Sequence, residues 1–186
     1  MDWARKPLAQ IVRSALVAGT GAMVLGNVAQ AAPQGGQISA GSGSITRPDA
    51  STTTVTQNTA AMVVDWQSFN VATHELVQFK QPSASASVLN NIHDANPSQI
   101  MGRIEGNGRV FLSNPNGIVF GPESTVNLGS LVATTHRVSA DDFMAGNLTF
   151  ENVDGEGVIV NQGLLEAATG GSITLVGDRV ENQGVI

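Results

Sequence analysis

A repeat of 21 residues near the carboxyl end restricts the fold more than any other feature of this chain. Asn161-Gln162-Gly163-Leu164 returns as Asn182-Gln183-Gly184-Val185, and three short apolar or β-branched runs separated by turn residues lie between. Three short strands in about 20 residues make one turn of a parallel β-helix, and such turns are stable only when stacked. The sequence therefore predicts an all-β fold, a parallel β-helix. Since Ile186 falls inside the next turn, we expect the chain to begin a longer polypeptide.

The best-defined corner of the predicted helix lies between two apolar runs, Arg109 to Leu112 and Ile118 to Phe120. Its residues are Asn114, Pro115, Asn116 and Gly117. Pro115 fixes the φ angle that the second position of a type I turn needs, and Asn114 can hydrogen-bond to the backbone two residues on. The segment is predicted to form a strand, a tight corner and a strand. Asn96-Pro97 predicts a second corner of similar type.

The first 31 residues have the pattern of a secretory signal peptide. Arg5, Lys6 and Arg13 form a positive leader, and an uncharged apolar run from Ser14 to Val28 follows. Small residues then precede a predicted cut after Ala31. We expect residues 1–31 to engage the Sec machinery and residues 32–186 to be the exported domain. A buried or membrane-anchoring helix is the weaker alternative, because the run is short for a membrane span and rich in glycine.

Three further segments depart from the repeating pattern. From Ala32 to Thr59, isolated Ile and Val residues stand among Gly, Ser, Gln and Thr, which predicts narrow edge strands that cap the helix. Ser139 to Gly146 starts with a candidate N-cap and two acids, which predicts a single helical turn. Leu148 to Glu151 and Gly157 to Val160 are predicted to pair as a hairpin outside the helix body.

Composition excludes several classes of function. The chain has 9 basic and 15 acidic residues, and the predicted leader removes three of the basic residues but only one acid. An acidic surface argues against nucleic-acid binding. The chain contains no cysteine, so packing and backbone hydrogen bonds must stabilise it without disulfides. With 41% apolar and 13% charged residues, the composition is that of a folded domain.

No residue pattern predicts a catalytic, metal or cofactor site. The three histidines, His74, His93 and His136, are scattered and have no Cys or His at ligand spacing. Polysaccharide-processing β-helices line one face with rows of acidic and basic residues, whereas the acids of these turns form no sustained row. We expect no enzyme activity and no cofactor, with a polysaccharide-processing enzyme as the weaker alternative.

A set of short motifs follows one order along the chain. The motifs are Asp65-Trp66 with Phe69-Asn70, Val77-Gln78-Phe79 with Gln81-Pro82-Ser83-Ala84, Leu89-Asn90, Asn96-Pro97-Ser98-Gln99-Ile100, Gly108 to Leu112, and Asn114-Pro115-Asn116-Gly117-Ile118-Val119-Phe120-Gly121. In order and spacing this set resembles the amino-terminal secretion domain of two-partner secretion exoproteins of the filamentous haemagglutinin type. The resemblance is strong from Gly36 to Thr135 and looser elsewhere. It departs from the pattern at Asn96 to Ile100, where some members have Asn-Pro-Asn-Leu.

The resemblance implies both a fold and a function. The family's domain is a right-handed parallel β-helix with an amino-terminal cap, extra-helical hairpins and no catalytic residues. It passes through the periplasm, binds the POTRA domains of an outer-membrane β-barrel transporter, and leads a Gram-negative adhesin, haemolysin or toxin to the cell surface or medium. Folding of the β-helix outside the cell then opposes return.

The same resemblance selects the candidate site residues. These are Asn114, Pro115, Asn116, Gly117 and Ile118, with Asn96 and Pro97 as a secondary turn. A tight β-helix corner needs such residues whether or not a partner recognises them, so recognition and a purely structural role both stay open. A directly adhesive module that binds carbohydrate or the host-cell surface is the alternative function.

Overall fold

The computed structural model describes residues 32–152 and 157–186, so the predicted signal peptide lies outside the described residues. The regular structure is almost entirely β-strand. The elements are β1 (Gln37–Ala40), β2 (Gly43–Thr46), β3 (Thr52–Gln57), β4 (Ala61–Trp66), β5 (Leu76–Lys80), β6 (Ser87–Ile92), β7 (Ser98–Ile100), β8 (Arg103–Gly106), β9 (Arg109–Ser113), β10 (Ile118–Phe120), β11 (Thr125–Leu128), β12 (Ser130–Thr134), β13 (Arg137–Val138), α1 (Ala140–Met144), β14 (Phe150–Glu151), β15 (Val158–Asn161), β16 (Leu164–Ala167), β17 (Ile173–Val176) and β18 (Arg179–Asn182).

The strands wind into a parallel β-solenoid of about five turns, which confirms the predicted fold class. The first sheet has the order β2-β3-β5-β8-β11-β16, the second β1-β4-β6-β9-β12-β17, and the third β7-β10-β15-β18. One turn runs through β8, β9 and β10, and β11 then begins the next turn beside β8. Successive turns stay in register, because Ile118 lies opposite both Ser98 of the turn before and Ile159 of the turn after.

Two antiparallel strands cap the amino-terminal end of the solenoid. β1 pairs with β4, and β2 pairs with β3, so each covers the edge of one sheet. An uncovered edge would present unpaired backbone groups to other chains. The predicted cap is confirmed, but β3 belongs to the first turn because it pairs in parallel with β5.

Alternate strand positions fill the interior with apolar side chains. In β5, Val77 and Phe79 are buried, as the alternation in the sequence predicts. Trp66 and Phe69 meet edge to face with their ring centroids 5.4 Å apart. The Trp66 indole N–H donates to the Asn90 side-chain oxygen at 2.9 Å, so this polar atom is paired within the core.

The 21-residue repeat corresponds to two stacked turns. Asn161 at the end of β15 lies opposite Asn182 at the end of β18. The Asn161 amide donates to the Asn182 side-chain oxygen at 2.8 Å, and Gln162 donates to Gln183 at 3.2 Å. Equivalent side chains therefore bond to each other between turns, which confirms the interpretation of the repeat.

The predicted helical turn is confirmed as α1. Its N-cap is Ser139, whose hydroxyl oxygen accepts from the Asp142 backbone N–H at 3.3 Å. The turn packs on the outer face of the second sheet, where Phe143 meets Phe111 edge to face at 5.1 Å. Phe143 and Phe111 belong to a second hydrophobic cluster, which lies outside the solenoid interior and consists of Val63, Leu89, Phe111, Val138 and Phe143.

The predicted hairpin exists outside the solenoid, but its pairing was wrong. β14 pairs antiparallel with β13, which precedes α1, and does not pair with the segment after it. β15 is instead a solenoid strand that pairs in parallel with β10 and β18. Ile159 of β15 is buried in the core. Stacking of β15 on β10 removes this apolar side chain from water, whereas a solvent-exposed hairpin would leave it exposed.

Candidate functional site

The candidate corner joins β9 to β10 as a hydrogen-bonded β-turn. The Gly117 backbone N–H donates to the Asn114 carbonyl at 3.0 Å. The Asn116 backbone N–H donates to the Asn114 side-chain oxygen, also at 3.0 Å. Gly117 has a φ of +111°, a backbone conformation in which a β-carbon would be strained. The turn chemistry predicted from Asn114, Pro115 and Gly117 is therefore present.

Asn114 is completely buried and joins the two Asn-Pro corners. Its side-chain amide donates to the Asn96 carbonyl at 3.2 Å and to the Ser98 hydroxyl at 3.0 Å. Its backbone N–H donates to the Thr134 carbonyl of the following turn at 3.0 Å. The side chain and the backbone of Asn114 together link three consecutive turns, which is a structural role.

Asn116 differs from Asn114 because its side chain is exposed. Its amide donates to the Asp94 carbonyl at 2.7 Å. The Asp94 carboxylate in turn accepts from the Asn96 backbone N–H at 2.9 Å and from its side chain at 3.1 Å. Asn96 and Pro97 are exposed as well, and Pro115 is half-buried. These four residues form the solvent-facing part of the two stacked corners.

Gly117 and Ile118 lie on the buried side of the corner. Ile118 is fully buried in β10 and contributes to the core. The next turn packs directly on the corner, because a β-carbon on Gly157 would lie 2.2 Å from the Pro115 carbonyl oxygen. The predicted site residues are therefore brought together, but they divide into a buried group (Asn114, Gly117 and Ile118) and an exposed group (Asn96, Pro97, Pro115 and Asn116).

An open groove of about 280 Å³ runs beside the exposed group. Its lining is Asn91, Ile92, His93, Asp94, Ser113, Pro115, Asn116, Arg137 and Val138. It combines a proline ring, amide groups and charged side chains of both signs. Such a surface offers both hydrogen bonds and apolar contacts, the latter from Ile92, Pro115 and Val138, a mixture that suits a peptide.

His93, at the rim of this groove, is paired with Asp65 on the neighbouring turn. The His93 Nε2 lies 2.9 Å from the Asp65 carboxylate. Partial burial acts to raise the pKa of Asp65, but hydrogen bonds from Ser39 and His93 and the charge of His93 together lower it below its ordinary value. The pair is mostly exposed, so its contribution to stability is small.

Within residues 32–152 and 157–186, no group of three or more His, Cys, Asp or Glu side chains could hold a metal ion. No helix in the same ranges is long and apolar enough to cross a membrane.

The family of the chain follows from a comparison of its sequence with family models. The model described as TPS secretion domain matches residues 29–186. The chain belongs to the TPS secretion domain family. Domains of this family are secretion domains of two-partner secretion exoproteins.

Relatives of this TPS domain come from Haemophilus influenzae. A heme/hemopexin-binding protein is 34% identical over 162 residues, which cover 83% of this chain and 18% of that protein. A second protein of the same name is 34% identical over 103 residues, covering 55% of this chain and 11% of that protein. The chain therefore spans less than a fifth of the length of these relatives.

A solved structure has the same fold as this TPS domain. The crystal structure of the HMW1 secretion domain from Haemophilus influenzae matches with a TM-score of 0.78 at 32% identity. The match covers 82% of this chain and 41% of that one. Sequence and structure thus assign the same family.

Three groove residues of the TPS domain, His93, Asp94 and Arg137, were not among the predicted site residues. Asp94 stands two residues before Asn96, a spacing that allows the Asp94 carboxylate to accept a hydrogen bond from the Asn96 backbone N–H. This spacing in the sequence could have indicated that Asp94 belongs to the corner. Arg137 reaches the groove through β13, whose position depends on the excursion around α1. No local pattern in the sequence indicates that placement.

Proposed function

We propose that residues 32–186 are the secretion-signal domain of a longer exported exoprotein, bound by the periplasmic POTRA domains of its outer-membrane transporter. The observation that carries this proposal is the match of the TPS secretion domain model to residues 29–186. The chain spans less than a fifth of the length of its relatives, which supports a longer exoprotein. The acidic net charge argues against nucleic acid as the partner.

We further propose that the exposed group of corner residues carries the recognition. The side chains that face solvent beside the groove are those of Asn116, Pro115, Asn96 and Pro97. The Asn114 side-chain amide instead donates hydrogen bonds to Asn96 and Ser98 of the preceding turn. A partner can contact the exposed group without opening the solenoid. Contact with Asn114 requires the unfolded chain, in which an extended segment can add to a sheet edge of the partner.

Folding of the solenoid on the far side of the outer membrane gives export a direction. Each added turn buries apolar side chains against the previous turn, so stability accumulates as the chain emerges. A typical domain stability of about 5–15 kcal/mol strongly disfavours unfolding and return. The capped amino-terminal end supplies the first turns on which later turns stack.

Binding to the purified POTRA domains of the cognate transporter tests the proposal. The folded chain is expected to bind these domains in a calorimetric or cross-linking assay, and a transporter β-barrel without them is expected not to bind. Asn116→Ala is expected to weaken binding, and the control Asn127→Ala, at an exposed position of β11 away from the corner, is expected to leave it unchanged. Absence of binding by the unaltered chain overturns the function. Normal binding by Asn116→Ala overturns only the role of the corner.

A further inference from the structure

Glu75 is a buried carboxylate at the corner between the first turn and β5. Only 5% of the residue is exposed. One of its carboxylate oxygens, Oε2, accepts the Ala72 backbone N–H at 2.8 Å and the Ala32 backbone N–H at 2.8 Å. Among the described residues, no Lys, Arg or His forms an ion pair with Glu75. A buried carboxylate is costly unless a cation or several donors compensate it.

The donor Ala32 is the first described residue and is held firmly against the solenoid. Arg47 donates to the carbonyl of the next residue, Pro33, and the Gln34 backbone N–H donates to the Ser68 carbonyl at 2.8 Å. The Gln34 side chain also donates to the Ala32 carbonyl at 3.1 Å. The position of the Ala32 nitrogen beside Glu75 is therefore fixed by contacts on the carboxyl side of Ala32.

Ala32 has a φ of +71°, the left-handed conformation that side chains other than glycine rarely adopt. This angle, a rotation about the Ala32 N–Cα bond, is defined only while a peptide bond joins residue 31 to the Ala32 nitrogen. Hydrolysis of that bond removes the strain, because a free amino terminus has no preceding carbonyl group. The same bond is the one at which the sequence predicts cleavage of the signal peptide.

We propose that Glu75 is the acceptor for the new amino terminus that signal-peptide cleavage creates at Ala32. Hydrolysis adds water across the bond between Ala31 and Ala32, with the hydroxyl going to the Ala31 carbonyl carbon and a proton to the Ala32 nitrogen. The resulting amine takes a second proton at neutral pH and becomes an ammonium group. It lies within hydrogen-bonding distance of the Glu75 carboxylate and forms an ion pair there.

Cleavage thus changes the chemistry of the cap. In the precursor, Glu75 has two neutral amide donors and Ala32 is strained. In the processed chain, one donor is a cation, and charge-assisted hydrogen bonds are stronger than neutral ones. The cap of the processed chain is therefore more stable than that of the precursor.

Amine labelling of the exported, processed chain tests the ion pair. Mass spectrometry is expected to give Ala32 as the first residue. Lys80 is exposed and is the sole lysine after residue 31, so it is an internal reference for an amine-acylating reagent. The Ala32 amine is expected to react at least about tenfold more slowly, relative to Lys80, than in Glu75→Gln. The control Glu123→Gln, at an exposed carboxylate, is expected to keep the protection.

A second variant leaves Glu75 intact. One glycine inserted between Ala31 and Ala32 moves the ammonium group away from the carboxylate and restores an amide at Ala32. Its new amino terminus is expected to label as fast as in Glu75→Gln, and its thermal unfolding midpoint is expected to fall below that of the unaltered processed chain. Equal labelling in all forms, an equal unfolding midpoint, or a first residue other than Ala32 overturns the proposal. None of these outcomes affects binding to the transporter, which is measured separately.

Discussion

At the scale of single residues, the two asparagines of one turn have different surroundings. Asn114 is buried and bonds to the preceding corner, while Asn116 is exposed and bonds to one carbonyl. In the sequence they stand two positions apart in one motif and look equivalent. Substitutions at these two positions therefore separate folding from recognition.

Asn114→Ala is expected to destabilise the domain by about 2–4 kcal/mol, because it leaves several buried polar groups without partners. Asn116→Ala is expected to cost less than about 1 kcal/mol, because water replaces its partner at an exposed site. Urea denaturation followed by circular dichroism measures both. Equal losses at the two positions would contradict the division of the corner into buried and exposed groups.

The Asp65–His93 pair makes a small part of the stability depend on pH. Because folding lowers the pKa of Asp65, its stabilising effect is present above the ordinary carboxyl pKa and disappears as the pH falls through the lowered value. Asp65→Asn is expected to cost less than about 1 kcal/mol at pH 7, since the pair is mostly exposed. Unfolding free energies of the two proteins are expected to converge as the pH falls below the lowered pKa of Asp65. A constant difference from pH 7 to pH 2 would contradict this assignment.

At the scale of elements, the excursion from β13 to β14 covers the outer face of the second sheet. Its helical turn was predictable because Ser139 and the two following acids are local signals. Its strand pairing was not, since β13 has only two residues and its partner lies beyond α1. The pairing of β13 with β14 depends on the apolar outer face of the second sheet around Phe111. The sequence pattern does not distinguish apolar residues on this outer face from those that fill the interior of the solenoid.

Phe143→Ala is expected to destabilise the domain by about 2–4 kcal/mol, somewhat less than a central core position, because Phe143 anchors α1 on Phe111 at the periphery. Met144→Ala, at a neighbouring position that is 38% exposed, is the control and is expected to change stability by less than about 0.5 kcal/mol. Chemical denaturation measures both. If Phe143→Ala leaves stability unchanged, the external cluster does not hold the excursion.

At the scale of the whole molecule, the repeat and the turn residues were sufficient to predict a stack of short parallel strands. Neighbouring turns pair residues 20–27 positions apart, and 39–42 apart where the excursion intervenes, so the 21-residue period in the sequence is close to the length of a turn without insertions. The cap was visible as a change in composition from Ala32 onward. The groove was not predictable, because Arg137 and Asn116 meet there only after the excursion has folded back.

The solenoid has two kinds of feature that a partner could recognise. Its chemistry lies in backbone pairing between turns and in a few exposed side chains at stacked corners. We propose that export and folding are coupled, because each turn that reaches the far side of the membrane has a preceding turn on which to stack.

Secretion of the full chain tests the central claim most directly. The chain is expressed in a Gram-negative host with its cognate transporter, with a transporter that lacks the POTRA domains, or with none, and the folded domain in the medium is quantified. We expect secretion only with the intact transporter, and accumulation of processed chain in the periplasm in the other two cases. Equal secretion in all three would contradict the assignment of this chain as a transporter-dependent secretion domain.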